Sequence, residues 1–261
     1  DLVSYGWLDT PQFDRAKKAM STIAGAGLPY SVTVGNHDTA AVGWNGVAGS
    51  TGYGGSAYAL NPECPTKLGA AQCSTPLLVR KTGTVNSYFP VASVKNLGGT
   101  YESGKDDNQW STFQVGSTKW MVLTLELWPR SGVVDWAKSV VANHPDYNVI
   151  IQTHHYLDGG GTISTSNGGY GATSPKYLYD QVVSKYSNVK MVFSGHVGSF
   201  TSRTDTNDGN TVVSYLGNEI GTSAPLRIVT INPSTGVVKS TVYNGSLAVA
   251  GTTSNTIKVI S

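Results

Sequence analysis

Three short apolar runs, at residues 30–34, 148–152 and 189–193, each lead directly into a loop that carries histidine. The loops are Gly35-Asn36-His37-Asp38, Thr153-His154-His155-Tyr156 and Ser194-Gly195-His196-Val197-Gly198. Runs of this length and composition read as buried strands. The carboxyl end of such a strand is where α/β folds place their ligand loops. Helical periodicity separates them. After Pro11, the residues Phe13, Ala16, Ala19, Met20 and Ile23 predict an amphipathic helix over 11–24. Val133, Trp136, Ala137 and Val140 predict one over 132–143, and Leu178, Val182, Val183 and Tyr186 one over 175–186. Residues 110–115 and 119–125 flank Gly116-Ser117 as a hairpin, and beyond Phe200 strands are expected at 211–216, 226–231 and 237–243. The pattern predicts an α/β chain: a layered sandwich of mixed β-sheets flanked by helices, with antiparallel hairpins in the C-terminal third, forming one domain over 1–261.

Charge excludes several functions. Only 13% of the 261 residues are charged and the formal net charge is +2, with Lys and Arg scattered, so neither a nucleic-acid-binding surface nor attraction to an anionic membrane is expected. No stretch has the apolar length of a membrane span, and no basic-then-apolar leader opens the chain, which therefore reads as a mature soluble form. Residues 39–105 are rich in Gly, Ser, Ala, Pro and Asn without sustained periodicity, and read as a long excursion whose aromatics Trp44, Tyr53 and Tyr58 could rim a substrate. The only two cysteines, Cys64 and Cys73, lie in this excursion with no Cys or His nearby to complete a zinc site. A local disulfide is therefore expected, and with it a secreted, extracellular location.

Of the five histidines, His144 sits where a helix should end, in Asn143-His144-Pro145, while the other four occupy the strand-end loops. Imidazoles on three such loops suit a metal or phosphate site. Asn36 and Asp1 add oxygen donors, and a mixed N/O donor set favours zinc, manganese or iron over calcium or magnesium. There is no Gly-x-Ser-x-Gly nucleophile elbow, and Gly159-Gly160-Gly161-Thr162 lacks the Gly-Lys-Ser/Thr that closes a P-loop.

The ordered series Gly35-Asn36-His37-Asp38, Thr153-His154-His155 and Gly195-His196, each after an apolar strand, resembles the motif series of the calcineurin-like metallophosphoesterases. Asp1-Leu2-Val3 is similar to the residues that come after Gly in that family's Gly-Asp motif, and the strand at Arg227-Ile228-Val229 to its terminal hairpins. The resemblance implies a metal-dependent hydrolase of small-molecule phosphate mono- or diesters that uses a metal-activated water. It implies Asp1 as a bridging carboxylate and Asn36, His154 and His196 as ligands, with His155 as substitute for His154. It implies His37 as the histidine that contacts the phosphate and assists the leaving group, and Asp38 as the residue that orients it. The cofactor would be one or two divalent or trivalent ions of Zn, Mn or Fe.

Two departures shape this expectation. The family's Asp-x-His strand, which precedes the Gly-Asp motif, is not in the sequence, and Gly-His-x-His appears as Gly195-His196-Val197-Gly198. Both affect the same metal position, so one ion is expected to be held more firmly than a second, and association with a separate N-terminal segment is an expected way to complete the sheet. The rival expectation is a catalytically degenerate protein that keeps the fold as a binding or surface module.

Overall fold

A computed structural model describes residues 1–42, 57–60, 63–218 and 225–261. Trp44 and Tyr53 lie outside the described residues. The chain divides into two compact units: Asp1–Ser111 with Thr124–Ser131 and Ser166–Thr173, and Thr112–Leu123 with Gly132–Thr165 and Ser174–Ser261.

The first unit opens with helix α1 (Pro11–Gly25), which carries proline in its first turn, where no backbone N–H is needed, and Asp14 near the positive end of the helix dipole. It buries Phe13 completely, in a cluster with Val32, Val34, Val85 and Phe89. That burial alone is worth roughly 2–3 kcal/mol. The segment at 30–34, expected as a strand, is not one. Its residues alternate between half-buried and buried, but the side chains pack on α1 without the segment joining a sheet. Apolar alternation reports burial of one face, and burial does not require a ladder partner.

Among the described residues of the excursion are the short helices α2 (Ala57–Leu60), α3 (Glu63–Leu68), α4 (Thr75–Leu78) and α5 (Gly83–Tyr88). Cys64 and Cys73 are joined as a disulfide with Cα atoms 5.9 Å apart. Cys64, Tyr58, Leu78, Val79, Trp128 and Tyr170 form a second cluster of this unit. Strands β1 (Leu97–Thr100) and β2 (Gln109–Val115) come next and pair antiparallel.

The second unit contains most of β3 (Thr118–Leu125), then α6 (Ser131–Asn143), β4 (Asn148–Thr153), α7 (Pro175–Leu178), β5 (Val189–Ser194), β6 (Ser199–Asn207), β7 (Asn210–Asn218), β8 (Leu226–Ile231), β9 (Val237–Tyr243) and β10 (Val249–Thr256). The strands form a seven-stranded mixed sheet in the order β1-β2-β3-β4-β5-β7-β6 and a separate antiparallel sheet in the order β10-β9-β8, so the α/β class with flanking helices and C-terminal hairpins holds. The core of the second unit gathers Trp120, Met191, Val213, Tyr215, Val238 and Ile257. A cavity of about 330 Å³ lined by Phe113, Trp120, Ile150, Met191, Val229 and Ile231 lies in this unit; it has an apolar lining without a titratable group.

Other elements of this unit depart from expectation. The helix predicted over 175–186 is α-helical only through Leu178 and continues as a π-turn over Tyr179–Val183, where Ser184 N–H donates to Tyr179 O at 2.9 Å. The wider turn lets the adjacent Val182 and Val183 both be buried. Strand β6 was not expected, because Ser199–Asn207 is polar; it is held by a nine-residue register with β7 across Asp208-Gly209, the dipeptide of tight hairpins.

The first unit also buries charge. Thr82 and Asn86 donate to the Asp107 carboxylate at 2.6 and 2.7 Å, and Arg130 reaches Glu126 and Glu102 at 3.0 and 2.7 Å. Asp106, 4% exposed, has no hydrogen bond to Oδ1, and burial next to Asp107 raises its carboxyl to about 7. The unfolded chain releases this proton near pH 4, so between about pH 4 and 7 the folded state holds the extra proton and stability falls as pH rises. Asp106→Asn is expected to stabilise the protein by about 1–3 kcal/mol at pH 8 and much less at pH 4.5, flattening the pH profile measured by urea unfolding.

Candidate functional site

The turn after residue 34 is built around one carboxylate. Asp38 Oδ1 accepts from the N–H groups of Leu2 and Val3 at 2.8 and 3.1 Å, and Oδ2 from that of Gly35 at 2.8 Å. Residues Asn36–Asp38 form a single 3-10 turn. Asp1 Oδ1 accepts from His37 N–H at 2.9 Å, which brings Asp1 to the same turn. A cavity of about 10 Å³, room for about one water, is lined by Gly35, Thr39, Arg80, Thr82, Asp107 and Glu126.

His37 and Asp38 have different partners. The His37 Nδ1 bonds Ser4 O, and since a carbonyl only accepts, Nδ1 carries the hydrogen and Nε2 is left free to take or give a proton. The hydrogen bonds of Asp38 all go to backbone N–H groups, so the orienting partner that the resemblance assigned to Asp38 is here the Ser4 carbonyl. Asn36 is 2% exposed, and its Oδ1 has no hydrogen-bond partner. A neutral oxygen held dry and unpaired in this way is unfavourable alone and suits a cation. Near it, the Tyr170 phenol is raised to about 12 by burial, and Asn36 pulls it the other way.

In the second unit β4 and β5 pair in parallel, with Ile151 opposite Val192 and Gln152 opposite Phe193, so the loops after their carboxyl ends are neighbours. Gly195 N–H donates to His154 O at 2.9 Å and ties one loop to the other. His196 is left-handed, at φ 73°, a conformation that costs a non-glycine residue about 1–3 kcal/mol and is typical of functional sites. Its Nδ1 lies 3.2 Å from His154 Nε2. Two imidazole nitrogens on one tetrahedral zinc at about 2.1 Å would lie about 3.4 Å apart, so this spacing suits a shared ion. The His155 ring centroid is 4.8 Å from that of His196, and burial lowers its imidazole to about 4, so His155 is neutral at physiological pH. Among the described residues no three His, Cys, Asp or Glu side chains are disposed together to hold a metal. The donors that fit an ion are therefore Asn36 in one unit and the His154–His196 pair in the other, each described within its own unit.

The pattern of calcineurin-like phosphoesterases matches residues 1–200. The chain belongs to the calcineurin-like phosphoesterase family. The match takes in the turns bearing Asn36 and His37, the His154-His155 pair and His196. Among curated proteins, the uncharacterized protein YvnB of Bacillus subtilis (strain 168) is 22% identical over 247 residues, covering 90% of this chain and 16% of its own. Among solved structures, a Staphylococcus aureus protein described as a candidate 5'-nucleotidase in complex with alpha-ketoglutarate is 11% identical, with a TM-score of 0.33 over 67% of this chain and 35% of its own. This family member thus spans about a sixth of YvnB and about a third of the staphylococcal chain. Among the described residues no helix is long and apolar enough to cross a membrane.

Sequence patterns gave no sign of Ser4 or Tyr170 at this site. Ser4 acts through its carbonyl, which any residue carries. Tyr170 is set in Gly168-Gly169-Tyr170-Gly171, a run whose glycines are the only sign of a close approach. The local geometry predicts that Asp38→Ala, which strands three backbone N–H groups, lowers stability by about 2–4 kcal/mol in urea unfolding, a loss in keeping with hydrogen bonds to a charged acceptor.

Proposed function

We propose that this chain hydrolyses small phosphate mono- or diesters with water in a metal-dependent reaction. The observation that carries the reading is the family match over residues 1–200, which takes in every candidate ligand. Asp1, Asn36, His154 and His196 are the residues we assign to one or two ions of Zn, Mn or Fe, with His155 the substitute for His154. When bound, such an ion supplies Lewis-acid polarisation of the phosphoryl group and a nucleophile from water near neutral pH.

The chain's own residues do the rest. His37 presents Nε2, with Nδ1–H held by Ser4 O; protonated there, it donates to the departing alkoxide and lowers the barrier to leaving-group loss. Asp38 keeps the turn rigid through its backbone bonds, so that the His37 ring stays in one orientation. No protein nucleophile is required. The Cys64–Cys73 disulfide supports an extracellular setting for this activity.

The test is to strip the purified protein of metal, add back manganese or zinc, and monitor release of p-nitrophenol from its phosphate monoester and diester. Hydrolysis restored by metal is the expected result. His37→Ala should reduce turnover by about 10²–10⁴-fold with metal content kept, whereas Asn36→Ala and His196→Ala should reduce both. Full activity in His196→Ala would refute its assignment as a ligand. Absence of bound transition metal together with absence of hydrolysis would leave the degenerate binding protein as the correct reading.

A further inference from the structure

Both sheets end in edge strands, and most of these edges are blunted. In the larger sheet β1 has four residues and a register shift between Leu97 and Gly99, while β6 is polar and carries Arg203 and Asp205. In the smaller sheet β10 has a shift between Val249 and Gly251. Short, irregular or charged edges resist pairing with further chain. Among the described residues β8 has none of these features. It keeps six consecutive pairs with β9 without a shift. Its one charged residue, Arg227, donates to Ser240 Oγ, Leu216 O and Thr201 O at 2.7, 2.9 and 3.3 Å.

The hairpin turn fixes which backbone groups of β8 stay open. Asn232 N–H donates to Val237 O at 2.9 Å, so Asn232 turns its amide toward β9. In an antiparallel pair this direction alternates from one residue to the next. Thr230 and Ile228 therefore bond β9, whereas Arg227, Val229 and Ile231 present N–H and C=O to the other side. Among the described residues β8 pairs with β9 alone, so that side is an open edge.

Val229 and Ile231 are also the β8 residues that line the cavity of about 330 Å³. Trp120 and Met191 supply its buried wall, and Phe113, Ile150 and Phe193 of the larger sheet stand half-buried around it, all within the second unit. Val115, in the same lining, is 51% exposed, so the recess opens to solvent. Its volume is about twice that of a ~150 Å³ apolar cavity that takes up benzene, which leaves room for about two large aliphatic side chains. With no titratable group in the lining, a charged occupant would be unfavourable. The same two residues thus combine unpaired backbone with an apolar recess. They are spaced at the two-residue period with which a strand repeats its side chains.

We propose that β8 is a docking edge for an extended, uncharged peptide segment, which continues the smaller sheet alongside Val229 and Ile231 and lowers alternate aliphatic side chains into the cavity. Recognition of this kind draws affinity from main-chain hydrogen bonds and selectivity from pockets for every second side chain.

The test is calorimetric titration of the full chain with a capped peptide of about seven residues that alternates valine and threonine, long enough to span β8. Sedimentation of the free protein gives its state of association. A monomer that binds the peptide saturably is the expected result. Val115→Asp, which sets a charge in the exposed part of the lining, should weaken binding by about tenfold or more. Ile228→Asp places the same charge on the opposite face of β8, at 47% exposure, and should leave affinity within about twofold. Both positions are half exposed, so both variants are expected to fold. The same peptide N-methylated throughout keeps its side chains but cannot donate, and should bind about tenfold or more weakly. Binding of the unmodified peptide weaker than about 1 mM overturns the proposal. Equal affinity for the N-methylated peptide overturns it too, since it marks a cavity that takes apolar groups without strand pairing. An equal effect of the two Asp variants has the same consequence. A dimer of the free protein that Val115→Asp disperses assigns the surface to a second copy and also overturns it.

Discussion

The Asp38 carboxylate is the point on which the first unit's chemistry depends, because its two oxygens collect backbone N–H groups from Leu2, Val3 and Gly35, stretches more than thirty positions apart in sequence. Bonds to an ionised acceptor are short and roughly twice as strong as neutral ones. They turn an otherwise open run of chain into a fixed corner. Once that corner is set, His37 N–H meets Asp1 and the His37 ring meets Ser4 O. Asn36 is then directed inward with its oxygen unpaired. The apolar cluster of Phe13, Val32 and Val34 holds the flanks of the corner, but packing by itself would not choose among the rotations available to a three-residue turn.

In the second unit the corresponding constraint is the parallel register of β4 and β5. Parallel pairing places both carboxyl ends on one edge, so residues 42 positions apart become neighbours with no long-range side-chain contact needed to bring them there. The left-handed backbone at His196 is the cost of directing its ring at His154 from a loop already tied by Gly195 N–H to His154 O. Strain of this kind persists only where the surrounding sheet is firm enough to impose it. The second shared boundary of β5, with β7, supplies that firmness, since Ser194 stands in register with Leu216 one residue before the loop begins.

Much of this was legible in the sequence, and the exceptions share a cause. Helices α1 and α6 and strands β4, β5, β8 and β9 coincide with the apolar periodicities, because in each the less exposed side chains recur at the period of the element. Residues 30–34 have the same signal and no sheet, because their burial is against a helix. β6 has the sheet without the signal, because its pairing is backbone work done by polar residues. At the site, imidazoles and the asparagine were visible as residue types, whereas the contact made by Ser4 depends on a carbonyl and the left-handed Trp128 on a backbone dihedral. Neither has a distinctive letter in the sequence.

The first unit therefore concentrates unfavourable features in one place: buried carboxylates at Asp106 and Asp107, a left-handed tryptophan, and two polar atoms left unpaired at Asn36 and Tyr170. A core selected for stability alone would replace most of them with apolar side chains of similar volume. Arg80 links the charged side to the strained side: it faces Glu126 at 3.4 Å while donating to the carbonyls on either side of the Leu127–Trp128 link. Its charge is desolvated enough to lower its pKa, with Glu126 and Asp107 working in the opposite direction, so the acids near it offset the desolvation of the guanidinium that holds the two carbonyls.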